Sequence, residues 1–127
     1  MTPETAQFIG KANKLLLEAD AMLKIGLNDA AGRTAYLAGF HAAQAFISEK
    51  TGRSVKTHKG VHTAFQRLTK DDQGFRPDLR VFLSHAYNLK AIADYETGPG
   101  AEVSGEQAIQ ALAQAERFVA HLETLLG

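Results

Sequence analysis

Apolar side chains recur every three or four residues along most of this chain, which is the spacing that places them on one face of an α-helix. Thr2 and Pro3 are typical of a helix start and Gly26 of a helix end, so the positions between them predict a first helix. A second helix is predicted from a cap at Asn28 to about Gly52. Its apolar stripe consists of Tyr36, Phe40, Ala43 and Ile47.

The second half of the chain has equally clear boundaries. Thr57 is predicted to cap a short third helix, and Pro77 opens a fourth helix that residues 98–100 (Gly-Pro-Gly) must end. Ser104 and Gln107 form a capping box for the last helix. We therefore predict an all-α fold, an antiparallel up-and-down four-helix bundle with an additional short helix, as a single domain over residues 1–127.

Composition supports the helical fold and excludes several chemistries. The 127 residues include 21 Ala and 14 Leu against five Val and five Ile, and Ala and Leu are strong helix formers. The absence of Cys excludes disulfides, cysteine zinc sites and thiol catalysis. No apolar run reaches ~18 residues, and the N-terminus lacks the basic and apolar regions of a secretion signal. We therefore expect a cytoplasmic protein that does not enter a membrane.

Charges sum to zero along the chain but are unevenly distributed. Residues 50–80 carry eight basic and three acidic groups, whereas residues 81–127 carry two basic and six acidic groups. The basic segment either binds a phosphate or is a solvated connection between helices. The opposite charges of these two segments also permit self-association.

Charged residues near the start of the second helix and the end of the fourth predict a polar contact between them. Arg33 lies beside the apolar stripe, where a charged side chain requires a carboxylate partner such as Asp94. Lys90 precedes Asp94 by four residues, so the two can pair on one helix face, with Tyr95 packed over the pair. This arrangement is either a structural ion pair or a polar binding site at a helix end.

Three histidines are candidates for chemistry. His41, in the second helix, is either an inert core residue or a general acid or base. His58 and His62 are four residues apart, a spacing that can bind a metal, but the sequence offers no third ligand. We therefore predict no metal and no cofactor. His58 and Lys59 are placed at a helix start, where they either fix the preceding loop or meet an anion.

Four segments of the chain together resemble a known family. They are residues 32–43 (GRTAYLAGFHAA), 57–61 (THKGV), 86–95 (AYNLKAIADY) and 115–119 (AERFV). In this order they resemble the small bacterial UPF0332-type branch of the HEPN-domain proteins over nearly the whole chain. The resemblance implies a helical bundle that is often a homodimer. Many members are toxins of toxin–antitoxin pairs, encoded beside a minimal nucleotidyltransferase, and active members are metal-independent ribonucleases.

The chain departs from the Arg-x4–6-His motif of the active members, which meets its copy at a dimer interface. Lys90 stands where the motif Arg is expected, and Tyr95 stands five residues on, where the His is expected. Arg80 and His85 have the motif spacing, but five positions along a helix rotate two side chains apart by ~140°. The resemblance therefore leaves catalysis open. The candidate catalytic residues are Lys90, Asp94, Tyr95 and His41.

On this resemblance we predict a component of a toxin–antitoxin-like system that acts with a minimal nucleotidyltransferase partner and binds nucleotide or RNA. One alternative is a metal-independent RNA-cleaving toxin with a rebuilt active site. The other is a purely structural homodimer. The candidate nucleotide- or RNA-binding residues are Arg33, Tyr36, His58 and Lys59.

Overall fold

The computed structural model describes residues 1–127, which form five α-helices and no strand. The prediction of an all-α bundle with one short helix is confirmed. None of the helices is both long and apolar enough to cross a membrane. Their bounds are α1 Pro3–Lys24, α2 Asn28–Thr51, α3 His58–Thr69, α4 Pro77–Tyr95 and α5 Gly105–Leu126.

Hydrogen bonds between helix ends show how three of the four long helices are directed. The backbone N–H of Thr2, before α1, donates to the Glu49 carboxylate near the end of α2 at 3.1 Å. The backbone N–H of Val103, before α5, donates to the Asp29 carboxylate at the start of α2 at 2.8 Å. Helix α1 therefore runs antiparallel to α2, and α5 runs in the same direction as α2. This is the alternation expected of an up-and-down bundle.

Helix α2 is the central element, because it packs against each of the other four helices. Fifteen of its 24 residues are buried, and most of these are Ala or Gly. The four residues of the predicted apolar stripe are all buried, as expected. However, burial extends around nearly the whole helix rather than along one face. Small side chains make this possible, since they let neighbouring helices approach from several directions.

An aromatic cluster fills the bundle on one side of α2. Phe46 contacts the rings of Phe65 and Phe75 at centroid distances of 5.7 and 5.5 Å. Phe118 packs against Phe65 and stacks on Phe82 at 4.6 Å. These rings come from α2, α3, α4, α5 and the loop before α4, so they join α3, α4 and α5 to α2 in one core.

Most helix ends follow the sequence prediction. The hydroxyls of Thr2, Thr57 and Ser104 accept hydrogen bonds from the first turns of α1, α3 and α5. The predicted cap at Asn28 is wrong, because Leu27 occupies the capping position and no side chain accepts a hydrogen bond there. The acidic group in the first turn of α2, Asp29, instead accepts the Val103 hydrogen bond described above.

Gly39 offers a direct test of the close packing around α2. A Cβ atom at this position would overlap the buried ring of Phe82, whereas a Cβ at Gly10 on α1 would meet nothing within 4 Å. We expect Gly39→Ala to lower the free energy of unfolding by about 1–3 kcal/mol through overpacking. Gly10→Ala should raise it by up to ~1 kcal/mol through helix propensity. Urea unfolding of the two variants checks this, and equal stability of both would contradict the packing described here.

Candidate functional site

Polar and aromatic side chains from α2, α3 and α4 meet beside the N-terminal half of α2. At its centre, the hydroxyl of the buried Tyr36 lies 2.7 Å from His58 Nδ1 and 2.9 Å from His62 Nε2. Five further residues surround this centre, and we refer to the whole set as the polar cluster. The polar cluster consists of Arg33, Tyr36, His58, His62, Tyr87, Lys90, Asp94 and Tyr95.

The Tyr36 hydroxyl has a single proton, which restricts the two imidazoles. It can donate to only one of them, so the other ring must donate its own N–H to the phenol oxygen. If His58 Nδ1 accepts, then His62 Nε2 carries a proton, and the reverse holds in the other arrangement. The three groups therefore form a continuous hydrogen-bonded chain, which we call the relay. Both histidines must change tautomer to exchange their roles, because a proton passed along the relay alone would leave one ring as imidazolium and the other as imidazolate.

Tyr87 of α4 closes the aromatic side of the polar cluster. Its ring centroid lies 5.3 Å from that of Tyr36, 5.4 Å from His58 and 5.5 Å from His62. Edge-to-face contacts of this kind hold rings in fixed orientations. Lys90 Nζ lies 5.7 Å from the centre of the same Tyr87 ring, which is within reach of a cation–π interaction.

The charged part of the polar cluster lies at the end of α4. Lys90 Nζ is 2.8 Å from one Asp94 oxygen, while Arg33 from α2 is 3.6 Å from the other. The Lys90 side chain is only 11% exposed, whereas that of Arg33 is 46% exposed. Tyr95 is 70% exposed, and its ring centre lies 5.3 Å from Lys90 Nζ. One carboxylate thus faces two cations, and the more loosely held cation is open to solvent.

Burial and charge together keep the histidines of the polar cluster neutral. Burial lowers the pKa of His58 below its ordinary value of 6.5, and the Lys90 ammonium lowers it further. Burial also lowers the pKa of His62, with a smaller contribution from His58. Burial raises the pKa of Tyr36, and the hydrogen bond to Asp94 raises the pKa of Lys90. At neutral pH the relay is therefore uncharged and lies beside a protonated lysine.

Comparison with known proteins gives a consistent assignment. Residues 5–125 match the HEPN domain family. The chain is also 38% identical over 111 residues to a UPF0332 protein of Archaeoglobus fulgidus, an alignment that covers 87% of this chain and 86% of that protein. This chain belongs to the HEPN family.

The fold of this HEPN domain is also found in a solved structure. The crystal structure of TT1696 from Thermus thermophilus superimposes with a TM-score of 0.82, covering 97% of this chain and 98% of the other. The two sequences are only 18% identical, so this likeness concerns the fold alone.

The tertiary structure of this HEPN domain brings together most of the predicted site residues. Arg33 and Asp94 pair, as the sequence predicted, although Arg33 is half exposed rather than buried. The predicted pair of Lys90 and Asp94 with Tyr95 beside it is also observed. Tyr36 and His58 then join this group through Tyr87.

Two predicted site residues lie outside the polar cluster. His41 Nδ1 is 2.7 Å from Gln44 Oε1, and Gln44 in turn donates to the backbone carbonyl of Val55. No polar contact joins His41 to the polar cluster, and burial lowers its pKa. Lys59 lies on another flank of α3, in a groove that Arg67 also lines. The geometry therefore gives His41 a structural hydrogen bond and separates Lys59 from His58.

Sequence reasoning missed two members of the polar cluster. The sequence pattern indicates His62 only as a metal ligand, and it indicates no role for Tyr87. His58 and His62 are four residues apart on α3, so both can face the same polar group. This spacing is the signal in the sequence that points to a shared partner. The structure shows that partner to be the Tyr36 hydroxyl, and it shows no group of three metal-binding side chains anywhere in the chain.

The lowered pKa values of His58 and His62 predict a pH-dependent stability. Because the unfolded chain binds protons more readily at these histidines, the free energy of unfolding should decrease as the pH falls from above about 6.5 towards about 5. His41 contributes in the same direction. Urea unfolding across this pH range measures the effect.

The double variant His58→Gln/His62→Gln is the matching comparison. It should show a flatter pH dependence than the wild type, since only His41 remains among the three histidines with a lowered pKa. An unchanged slope in this variant would show that the relay does not favour the neutral imidazoles.

Proposed function

We propose that this HEPN domain binds a nucleotide or an RNA segment at the polar cluster. The observation that carries the proposal is the grouping of two cations, Arg33 and Lys90, with the exposed ring of Tyr95 at the end of α4. A guanidinium can hold a phosphate through two parallel hydrogen bonds. An exposed aromatic ring supplies a face on which a base stacks.

Asp94 occupies the position that a phosphate would compete for. Its carboxylate is the only acid paired with either cation, and it holds Arg33 at 3.6 Å, beyond ordinary hydrogen-bond length. A phosphate that approaches from solvent reaches Arg33 first, because this side chain is the more exposed of the two. Lys90 then contributes a nearby positive charge without leaving Asp94.

The proposal includes the cellular setting that the family resemblance implies. This chain is the HEPN component of a toxin–antitoxin-like system in the cytoplasm, and its partner is a minimal nucleotidyltransferase. It acts as a homodimer, for which α5 supplies exposed apolar side chains such as Ile109 and Leu125. Membership of the HEPN family supports this setting.

Charge variants of the polar cluster test nucleotide binding. Arg33→Gln should weaken the binding of uridine monophosphate roughly 10- to 100-fold, since a hydrogen bond to a charged group contributes ~1.5–3 kcal/mol. Asp94→Asn should strengthen binding, because it removes the competing carboxylate. Isothermal titration calorimetry measures both effects.

The matched control is Lys14→Gln, which removes a positive charge from an exposed position on α1. It should bind like the wild type. If Arg33→Gln and Lys14→Gln have the same affinity, the polar cluster is not the binding site. If no form binds any nucleotide, the structural homodimer becomes the better interpretation.

A second candidate function, metal-independent RNA cleavage, is favoured by the relay itself. Neutral imidazoles near neutral pH are effective general bases, and the relay joins two of them through one phenol. One histidine would take the proton of the ribose 2′-OH as its oxygen bonds to phosphorus. The bond from phosphorus to the 5′ oxygen breaks, and the protonated histidine system returns a proton to that leaving oxygen. Arg33 and Lys90 face the charge that develops on the phosphate.

Cleavage of end-labelled structured RNA in the presence of a chelator tests this second function. Under this mechanism His58→Ala and Lys90→Ala should abolish cleavage, whereas His41→Ala should retain it because His41 is not joined to the relay. Cleavage that His41→Ala alone abolishes would contradict the mechanism. Sedimentation of the same sample tests the homodimer, and a monomer that cleaves RNA would remove the dimer from the proposal.

A further inference from the structure

A second positively charged feature lies on the flank of α3 that faces away from the polar cluster. It is a groove of about 510 Å³, formed by the end of α2, the following loop and α3. We refer to it as the basic groove. Its lining includes Arg53, Lys59 and Arg67, together with Ile47, Val55 and Ala64.

The charges of the basic groove are not neutralised within the protein. Arg53, Lys59 and Arg67 are all exposed, and none of them takes part in any of the four ion pairs of the structure. No acidic residue lines the basic groove. Like charges that share a groove without counterions repel one another, so an anionic ligand would gain favourable contacts there.

The remaining lining indicates what kind of anion fits. Two of the apolar lining residues, Ile47 and Ala64, are 1% and 8% exposed, and a third, Val55, is half-buried. Threonine hydroxyls and the three cations also line the basic groove. Phosphate oxygens accept hydrogen bonds from both kinds of group, so the lining suits a chain of phosphates.

The spacing of the cations also suits an extended polyanion. Lys59 and Arg67 are eight residues apart on α3, which corresponds to about 12 Å along the helix axis. Arg53 lies in the loop that precedes α3 and adds a third charge. Cations with this spacing can contact successive phosphates of a nucleic-acid backbone, whereas cations that bind a single phosphate converge on one point.

We propose that the basic groove binds the phosphate backbone of single-stranded RNA whose adjacent nucleotide occupies the polar cluster. This site extends the proposed function, and it rests on that function for the contact between the adjacent nucleotide and the polar cluster. The polar cluster and the basic groove lie on opposite flanks of α3, and a helix with its side chains is about 10–12 Å wide. A strand that crosses the start of α3 can reach both.

The experiment compares a short and a long ligand. Uridine monophosphate reports on the polar cluster by calorimetry, and a fluorescein-labelled oligouridylate of about twelve nucleotides reports on both sites by anisotropy. The variant Lys59→Gln/Arg67→Gln should weaken oligonucleotide binding about tenfold or more while leaving uridine monophosphate binding unchanged. The slope of log affinity against log salt should become shallower by about 1.4, because each phosphate contact to a single strand contributes ~0.7.

Two further variants test whether a loss of affinity comes from the charges of the basic groove rather than from a change in net charge or in folding. Lys14→Gln/Arg117→Gln removes one exposed lysine and one exposed arginine outside both sites, so it has the same net charge as the groove variant and should bind like the wild type. Lys59→Arg/Arg67→Lys preserves the charges and should retain the salt dependence. Circular dichroism confirms that each variant is folded before its affinity is compared.

The two proposals fail in different ways. If the groove variant and the Lys14/Arg117 variant bind the oligonucleotide equally well, the basic groove is not an RNA site, and nucleotide binding at the polar cluster still stands. If the oligonucleotide requires the basic groove but uridine monophosphate does not bind, the groove contact survives and the polar cluster loses its role. If the groove variant alters only self-association, the groove is a protein interface, and the RNA inference is overturned.

Discussion

The burial of α2 on nearly every side is the constraint on which the rest of the structure depends. A helix in this position must be lined with small residues, because four other helices pack against it and large side chains would hold them apart. Gly39 shows the limit of this packing, since the Phe82 ring occupies the space that its side chain would need. Among the large side chains that α2 buries, Tyr36 is the one that carries a hydroxyl. A buried phenol requires hydrogen-bond partners, and only α3 is placed to supply them.

That requirement links the core directly to the polar cluster. The Tyr36 ring is part of the packed interior, while its hydroxyl fixes the orientation of both His58 and His62. The same burial that stabilises the ring lowers the pKa of the two histidines. Stability and acid–base character at this site therefore have one cause. A change that loosens α2 should also alter the protonation of the histidines, without touching them.

Helix α3 separates two positively charged regions of different character. In the polar cluster the charges of Arg33 and Lys90 are opposed by Asp94, so a ligand must compete for them. In the basic groove the charges of Lys59 and Arg67 have no internal counterion. The first arrangement favours selective recognition by geometry, and the second favours contact with any extended chain of phosphates. A net charge of zero hides both, because the 14 acidic residues, 11 of them outside residues 50–80, balance the 14 basic residues of the whole chain.

The sequence by itself determined the helices, their ends and the pairing of Lys90 with Asp94, because these depend on local spacing, caps and contacts between residues four apart. The cap predicted at Asn28 is the exception, because no side chain caps α2. The neighbouring Asp29 instead accepts a hydrogen bond from Val103, 74 positions along the chain. The four segments that resemble HEPN-domain proteins indicated the family. Only the tertiary structure placed Tyr36 between two histidines, left His41 outside and assigned Lys59 to a separate groove. These placements depend on how α3 rotates against α2, and that rotation is fixed by the packing of Val61 and Phe65 in the common core rather than by any local pattern.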